Sequence, residues 1–227
     1  MNLLKIIRQI EAAESLGLQE EEESTTKETE KNTTLQSELE NFDWKFKTPD
    51  SALKEIKADA IRFITDLYNK EYKFFTLLGP TERGKTLLLN DIMRFIKGSS
   101  SLFKFPYAKK TVEGRCDKFI IYGTLKELVS QCLGNPKRYE EIKTCGILFI
   151  EEFYNFNVIN NYNAMVIEIA FDILNSRDKK AVVIDSNKMI KEIEELDVRI
   201  SSRLHRNNSI VIEISDKVPM YLKRPKK

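Results

Sequence analysis

One stretch of the sequence places glycines, a lysine and a threonine at a spacing that binds phosphate. Residues 79–86 read Gly-Pro-Thr-Glu-Arg-Gly-Lys-Thr and fit the pattern G-x-x-x-x-G-K-[ST]. In such a loop, backbone N–H groups and the N-terminus of the following helix bind phosphate oxygens. Lys85 would reach the terminal phosphates, and the Thr86 hydroxyl would ligate magnesium. The predicted nucleotide contacts are Gly79, Pro80, Thr81, Glu82, Arg83, Gly84, Lys85, Thr86 and Leu87.

Two adjacent carboxylates end an apolar segment further along the chain, "GILFIEEF". In P-loop ATPases an acid at such a place faces the hydrated magnesium, and a neighbouring acid orients the attacking water. We interpret Glu151 as the metal-side acid and Glu152 as the water-orienting base. The alternative is a strand followed by a solvated turn.

Two further groups of polar side chains could complete a catalytic site. Ser186 and Asn187 end the segment "AVVIDSN", where a side chain could reach the γ-phosphate or the attacking water, or simply cap or turn the chain. Arg199, Arg203 and Arg206 cluster near the end of a predicted helix. They form either a solvated basic face or an arginine finger that enters the site of a neighbouring subunit.

An alternation of strand and helix patterns positions these residues. A helix capped by Asp50 or Ser51 comes first, with apolar residues at helical spacing. The later predicted strands are "YKFFTLLG", "KFIIYGT", "GILFIEEF", "KAVVIDSN" and "NSIVIEIS". The helices between them are "KTLLLNDIMRFIKG", "LKELVSQCLG", "NAMVIEIAFDILNSR" and "KMIKEIEELDVRISSRL". Because the strands are apolar on both faces, the pattern predicts an α/β fold with a parallel sheet covered by helices on both sides.

Composition excludes several classes of protein. No apolar run approaches the length of a membrane span, and the N-terminus has no secretory pattern. The three cysteines are far apart and His205 is the single histidine. These counts argue against a structural zinc site, a disulfide framework and serine–histidine hydrolysis, and they favour a reducing, cytoplasmic location.

Charge and patterning divide the chain into four predicted parts. Residues 1–18 form a short amphipathic helix, which either folds back on its own domain or binds a partner. Residues 19–40 form an acidic, flexible linker. Residues 41–217 form the nucleotide-binding domain, and residues 218–227 a basic tail. The basic excess after residue 40 is compatible with a nucleic-acid partner or with an ordinary soluble surface.

Taken in order, these elements resemble the AAA+ ATPases, and more narrowly the helicase-loader branch typified by DnaC and DnaI, with its transposition relative IstB. "LENFDWKFKTPDSALKEIKADAIRFI" is similar to the segment that leads into the first strand in that branch, and "FIIYGTLKELVSQCL" to its second strand and following helix. "LFIEEF" resembles Walker B, "VVIDSN" resembles sensor 1 with Asn187, and "RISSRL" resembles box VII with Arg203 as the finger. The resemblance covers about residues 40–215. It implies a three-layer αβα sandwich with a five-stranded parallel sheet and no C-terminal lid domain.

The resemblance also implies a function. The chain would bind and hydrolyse ATP with Mg²⁺ and form a homo-oligomer through its ATPase domain. It would load a replicative helicase onto single-stranded DNA during replication initiation. No membrane partner is expected. Lys109, Lys110, Lys137 and Arg138 are candidates for contacts with DNA phosphates. Phe105, Tyr107 and Tyr139 could stack on bases. The alternative is that both segments are ordinary exposed loops.

Departures from the family pattern limit the prediction. Glu82 stands where the family's loop usually has glycine, and its side chain would point to solvent or pair with Arg83. Glu151 stands where the Walker B acid is usually aspartate; the extra methylene moves the carboxylate by about 1.5 Å, and a misplacement of about 1 Å can slow catalysis 10²-fold. Slow hydrolysis, stimulated by DNA or a partner, is therefore expected. Two other functions stay open: an IstB-like helper that remodels a transposase, and a degenerate ATPase that serves as a nucleotide-dependent binding module.

Overall fold

A five-stranded parallel sheet is the centre of the computed structural model. The structure describes residues 34–48, 50–103, 119–155, 161–206 and 209–218. The chain divides into two compact units, Met1–Asp43 and Trp44–Lys227, and the sheet lies in the second. In the described part of the chain, no helix has the length and apolar character needed to cross a membrane.

Strands and helices alternate in the second unit, as the sequence predicts. The helices are α2 Ser51–Tyr68, α3 Lys85–Gly98, α4 Leu125–Cys132, α5 Pro136–Thr144, α6 Asn161–Asn175, α7 Ile190–Leu196 and α8 Val198–Leu204, after α1 (34–41) in the first unit. The strands are β1 Phe74–Leu78, β2 Ile120–Thr124, β3 Ile147–Glu151, β4 Ala181–Ser186 and β5 Ile210–Glu213. They lie in the order β2-β3-β4-β1-β5, and all pairs are parallel. The predicted αβα sandwich with five parallel strands is confirmed.

Burial separates the central strands from the edge strands. Nearly all side chains of β1, β3 and β4 are buried, because helices cover both faces of the sheet there. In β2 and β5, buried positions mix with half-buried and exposed ones. The predicted cover of helices on both faces is thus complete at the three central strands and partial at the two edge strands.

Parallel pairing brings the ends of the central strands to one edge of the sheet. Leu77 of β1 lies opposite Asp185 of β4, and Leu78 lies opposite Ser186. The phosphate-binding pattern follows β1, and the predicted catalytic residues follow β3 and β4. The loops at this edge therefore meet, which is where ligands bind in open α/β sheets.

Local side-chain chemistry explains where the helices begin and end. The Asp50 side chain accepts from the backbone N–H of Leu53 at 3.1 Å and caps α2, as predicted. The long helical stretch predicted before residue 205 is two helices. Asp197 ends α7 and caps α8 by accepting from the N–H of Arg199. Helix α5 was not predicted from the sequence. Its start does have a typical pattern, because Asn135 caps the helix and Pro136 occupies its first turn.

The first unit shows one helix in its described part. Residues 34–41 are helical, with Leu35 and Leu39 buried one turn apart. This differs from the prediction of a flexible linker over 19–40, because two leucines at helical spacing give the end of that segment an apolar stripe. The rest of that segment, and the predicted helix at 1–18, lie outside the described residues.

A buried arginine ties the helical layer to the sheet. Arg177, which follows α6, is fully buried and donates to the carbonyl oxygens of Ile142 at 3.0 Å, Gly146 at 3.3 Å and Ala181 at 2.7 Å. Ile142 lies in the last turn of α5, Gly146 directly precedes β3, and Ala181 is the first residue of β4. The guanidinium therefore holds three elements together on the side of the sheet where these strands begin.

Candidate nucleotide-binding site

The loop between β1 and α3 has the backbone that its glycines permit. Gly79 has φ 128° and Gly84 has φ 80°, both in the region that favours glycine. A Cβ atom on Gly79 would lie 2.3 Å from the carbonyl oxygen of Ile214, so no larger residue fits there. The pattern found in the sequence thus lies between a strand and a helix, as a phosphate-binding loop requires.

Lys85 is buried at the centre of this loop. Its Nζ donates to the carbonyl oxygens of Gly79 at 2.8 Å and Pro80 at 2.6 Å, and to Oδ1 of Asn187 at 3.0 Å. Burial lowers the pKa of Lys85, while the nearby charge of Asp185 acts in the opposite direction. The three acceptors are neutral, and none of the ion pairs found among the described residues involves Lys85. A buried ammonium with only dipolar partners is a favourable place for an anionic ligand.

Thr86 joins the loop to β4 through Asp185, a carboxylate that was not among the predicted site residues. Its Oγ1 donates to Oδ2 of Asp185 at 2.6 Å. Asp185 also accepts at Oδ1 from the N–H of Glu152 at 2.9 Å, and its carbonyl accepts from the N–H of Phe153 at 2.9 Å. Asp185 is only 3% exposed, whereas Thr86 is exposed. The available signal was a lone carboxylate within an otherwise apolar strand, at the sheet edge that carries the loop.

The two predicted catalytic acids have different surroundings. Glu151, at the end of β3, is half-buried. Burial raises the pKa of Glu151; the nearby Tyr122 hydroxyl opposes the shift, and the charges of Asp185 and Glu152 add to it. Its Oε1 atom is buried and has no hydrogen-bond partner within the described ranges. Glu152 is exposed and has φ 50°, a strained backbone of the kind found at functional sites.

Glu82 and Arg83 are adjacent in the loop, but Glu82 is exposed to solvent and Arg83 is buried. Glu82 is exposed, with φ 61°, which is the conformation that glycine adopts most easily. The Arg83 guanidinium is buried and donates to the carbonyl oxygen of Asp216 at 3.2 Å. Of the two placements predicted for Glu82, the structure shows the solvent-exposed one, and Arg83 holds the loop to the segment after β5.

Arg203 lies on α8 against an aromatic ring. Its guanidinium carbon is 5.3 Å from the centroid of Phe171, and that of Arg199 is 4.7 Å from the same ring. Burial, together with the charge of Arg206, lowers the pKa of Arg203. Within the described residues, no hydrogen bond links Arg203 to the phosphate-binding loop. Its role as a finger toward a neighbouring subunit stays a prediction.

The predicted DNA contacts are only partly described. Lys109 and Lys110, with Phe105 and Tyr107, lie in the range 104–118, outside the described residues. Lys137 is exposed on α5. Arg138 donates to Oε1 of Gln131 from Nε at 2.9 Å and from Nη2 at 2.8 Å. The Tyr139 hydroxyl donates to Oδ2 of Asp172 at 2.5 Å. Arg138 and Tyr139 thus hold α5 against α4 and α6, and DNA binding by this group stays a prediction.

The donor set at the loop suits a magnesium ion that arrives with a nucleotide. Within the described ranges, no group of three or more His, Cys, Asp or Glu side chains could hold a metal ion by itself. Magnesium is commonly held by one or two protein oxygens together with substrate phosphates and water. Thr86, an exposed residue whose hydroxyl proton is directed to Asp185, fits that requirement.

Comparison with known proteins shows a likeness in fold. No protein-family model matches the chain, and no curated protein matches its sequence. Domain III of the Thermotoga maritima replication initiation protein DnaA aligns with a TM-score of 0.57 and 18% identity, over 77% of this chain and 66% of that one. The DnaC helicase loader aligns with a TM-score of 0.57 and 14% identity, over 77% and 97%. DnaI aligns with a TM-score of 0.52 and 17% identity, over 78% and 88%.

These likenesses establish the fold class predicted from the sequence. The chain has the αβα fold with a five-stranded parallel sheet in which it resembles the DnaA domain and the DnaC and DnaI structures. It spans slightly less than two thirds of the DnaA domain III structure and nearly all of the DnaC structure.

Proposed function

We propose that this chain is an ATP-binding switch that hydrolyses ATP slowly and loads a replicative helicase onto single-stranded DNA. The observation that carries the proposal is the buried Lys85 ammonium, which has neutral acceptors from the loop and from Asn187 and lies beside the exposed Thr86. A triphosphate with Mg²⁺ complements both groups, because it supplies negative charge to Lys85 and a cation to the Thr86 oxygen.

The loop would bind the phosphates through backbone N–H groups and Lys85. On binding, the Lys85 ammonium exchanges carbonyl acceptors for charged phosphate oxygens, which form stronger hydrogen bonds. Magnesium, when bound, neutralises charge on those oxygens. Asn187, which accepts from Lys85 at 3.0 Å, would sense which phosphates are present.

Hydrolysis would depend on the acids after β3. Glu152 is exposed beside the site and can accept a proton from water, and its backbone N–H is fixed by Asp185. Glu151 is half-buried, and burial raises its pKa. This arrangement supports slow turnover, and it also favours the second candidate function, a binding module with negligible hydrolysis.

The partner is proposed from the fold. A helicase loader is among the similar structures, and this chain aligns with 97% of it. Residues 1–18 would engage the helicase, Lys109, Lys110, Lys137 and Arg138 would contact the single strand, and subunits would assemble through the ATPase domain. An IstB-like role with a transposase remains the competing proposal for the partner.

Turnover with and without single-stranded DNA tests the enzymatic part. We expect Arg203→Ala to abolish the DNA-stimulated rate and to leave ATP affinity unchanged, because the finger acts on a neighbouring site. Arg199→Ala is the matched control, since Arg199 contacts the same Phe171 ring. Equal rates in wild type and Arg203→Ala would contradict the finger, and no turnover with any DNA or partner would favour the binding module.

Capture on immobilised chain in ATP and in ADP tests the partner. We expect retention of a replicative helicase in one nucleotide state and its loss when residues 1–18 are deleted. Retention of a transposase instead would support the IstB-like role. Unchanged capture by the truncated chain would contradict the assignment of the N-terminal segment.

A further inference from the structure

We propose that Asp185, near the end of β4, is the carboxylate that positions the Thr86 hydroxyl for magnesium. The residue pattern alone predicts that Glu151, which ends β3, is the metal-side acid. The carboxylate bonded to the loop hydroxyl instead lies on the neighbouring strand β4. This inference rests on the proposed binding of ATP and names a positioning residue for that site.

The direction of one hydrogen bond carries the argument. The Thr86 hydroxyl donates to Oδ2 of Asp185 at 2.6 Å, a short bond of the kind that ionised acceptors form. A hydroxyl has one proton and two lone pairs. Because the proton is directed to Asp185, both lone pairs of Thr86 are left for a cation, and Thr86 itself is exposed to solvent.

The Asp185 carboxylate is fixed on its other side as well. Its Oδ1 accepts from the N–H of Glu152 at 2.9 Å, and its carbonyl oxygen accepts from the N–H of Phe153 at 2.9 Å. Opposite it on β1 lies Leu77. A side chain that is 3% exposed and bonded at both oxygens has little rotational freedom, so it can hold Thr86 in one rotamer.

Glu151 makes no comparable contact with the loop hydroxyl. In the β2–β3 register, Tyr122 lies opposite Phe149 and Thr124 opposite Glu151, so Tyr122 and Glu151 extend from the same face of the sheet. Glu151 is half-buried, and its Oε1 atom has no hydrogen-bond partner within the described residues. Across the described residues, no hydrogen bond joins Glu151 to Thr86, whose hydroxyl proton is directed to Asp185.

Asp185→Asn reverses this hydrogen bond without changing the size of the side chain. The N–H of Glu152 needs an acceptor, so the amide oxygen of the new side chain faces Glu152 and its NH₂ group faces Thr86. The NH₂ group then donates into a lone pair of Thr86 that the cation would use. ATP binding without magnesium should persist, because Lys85 and the loop are unchanged.

The test compares ATP affinity in Mg²⁺ and in EDTA for wild type and single variants. We expect Asp185→Asn to reduce the Mg²⁺-dependent gain in affinity by about tenfold, the size of effect typical of residues that orient a metal ligand. Glu151→Gln should keep most of that gain. Asp172→Asn is the matched control, because Asp172 also accepts a short hydroxyl bond, from Tyr139 at 2.5 Å, between α6 and α5. This variant should behave as wild type.

Each outcome decides the inference. Retention of the full Mg²⁺ gain in Asp185→Asn, or its loss in Glu151→Gln, overturns it and returns the role to β3. The Glu151→Gln result decides the question even if thermal melting shows Asp185→Asn to be unfolded. Absence of ATP binding by wild type in both conditions would instead refute the proposed function.

Discussion

Arg177 and Lys85 are two buried cations with similar hydrogen-bond partners and different roles, one in the fold and one in the proposed nucleotide site. Arg177 and Lys85 are both nearly inaccessible, both donate to main-chain carbonyl oxygens, and burial lowers the pKa of both. Neither has a carboxylate in its hydrogen-bond shell within the described residues. Each charge is therefore stabilised by dipoles.

The two cations differ in which parts of the chain supply their hydrogen-bond acceptors. The acceptors of Arg177 come from α5, β3 and β4, and the remaining contact is Sγ of Cys145 at 3.3 Å. Lys85 draws two acceptors from its own glycine loop and one from Asn187, next to the exposed Thr86. A shell built from several packed elements fixes the fold, whereas acceptors that come from the glycine loop and from Asn187, at the sheet edge where ligands bind, can be exchanged for a ligand.

The largest effect is expected for Arg177, on the free energy of unfolding. Arg177→Ala leaves several buried carbonyl groups without a donor and opens a cavity, so we expect the free energy of unfolding to fall by about 3 kcal/mol or more. ATP affinity of the folded fraction should not change. Denaturant unfolding measures the first quantity, with Arg206→Ala as control, because the surface pair of Arg206 and Asp178 should be worth less than about 1 kcal/mol. If the free energy of unfolding fell by less than about 1 kcal/mol in Arg177→Ala, the structural role assigned to Arg177 would be wrong.

A smaller effect is expected from the strained position in the loop. Glu82 has φ 61°, and Glu82→Gly should relieve about 1 kcal/mol of strain, partly offset by the greater freedom of glycine in the unfolded chain. Removal of the negative charge should also tighten ATP binding. Lys70→Gly is the control, because Lys70 has φ 67° outside the loop; it should change stability in the same direction and leave ATP affinity unaltered. Weaker ATP binding by Glu82→Gly would contradict this account of the loop.

The smallest effect concerns Glu151 and pH. Its pKa in the folded chain is raised above the usual value of 4.5, so the folded state binds this proton more tightly than the unfolded state. Stability from this group is present below pH 4.5 and is lost as pH rises through the raised pKa. Glu151→Gln should therefore unfold at slightly higher denaturant concentration than wild type at neutral pH and match it below 4.5. The exposed Glu152 provides the control substitution, Glu152→Gln, and an equal gain at both pH values would contradict the explanation.

The sequence predicted the elements that carry strong patterns. The glycine loop, the five strands and the cap at Asp50 could be predicted because each depends on residues close together in the chain. The helix α5 could not be recognised from hydrophobic periodicity, because only Ile142 is buried along it. Its cap, Asn135 followed by Pro136, was the available signal.

Residues that act through long-range contacts were harder to find. Asp185 lies inside a buried strand, and only the neighbouring position of β4 and β1 brings it to Thr86, which is distant in sequence. Arg177 follows a helix in a charged stretch typical of a solvated turn, yet it is fully buried. The same limit applies to Arg203, whose predicted target would lie in another subunit.

The most direct test of the central claim is a titration of wild type, Lys85→Ala and Lys180→Ala with a fluorescent ATP analogue in Mg²⁺. Lys180 is the matched control, because its Nζ also donates to main-chain carbonyls, at 3.1 Å to Lys143 and 3.4 Å to Ser176, and burial lowers its pKa. We expect Lys85→Ala to lose about 100-fold in affinity or more, the size of a lost charge-assisted contact, and Lys180→Ala to bind as wild type. Equal affinity in wild type and Lys85→Ala, or no binding by wild type, would contradict the assignment of this loop as a nucleotide site.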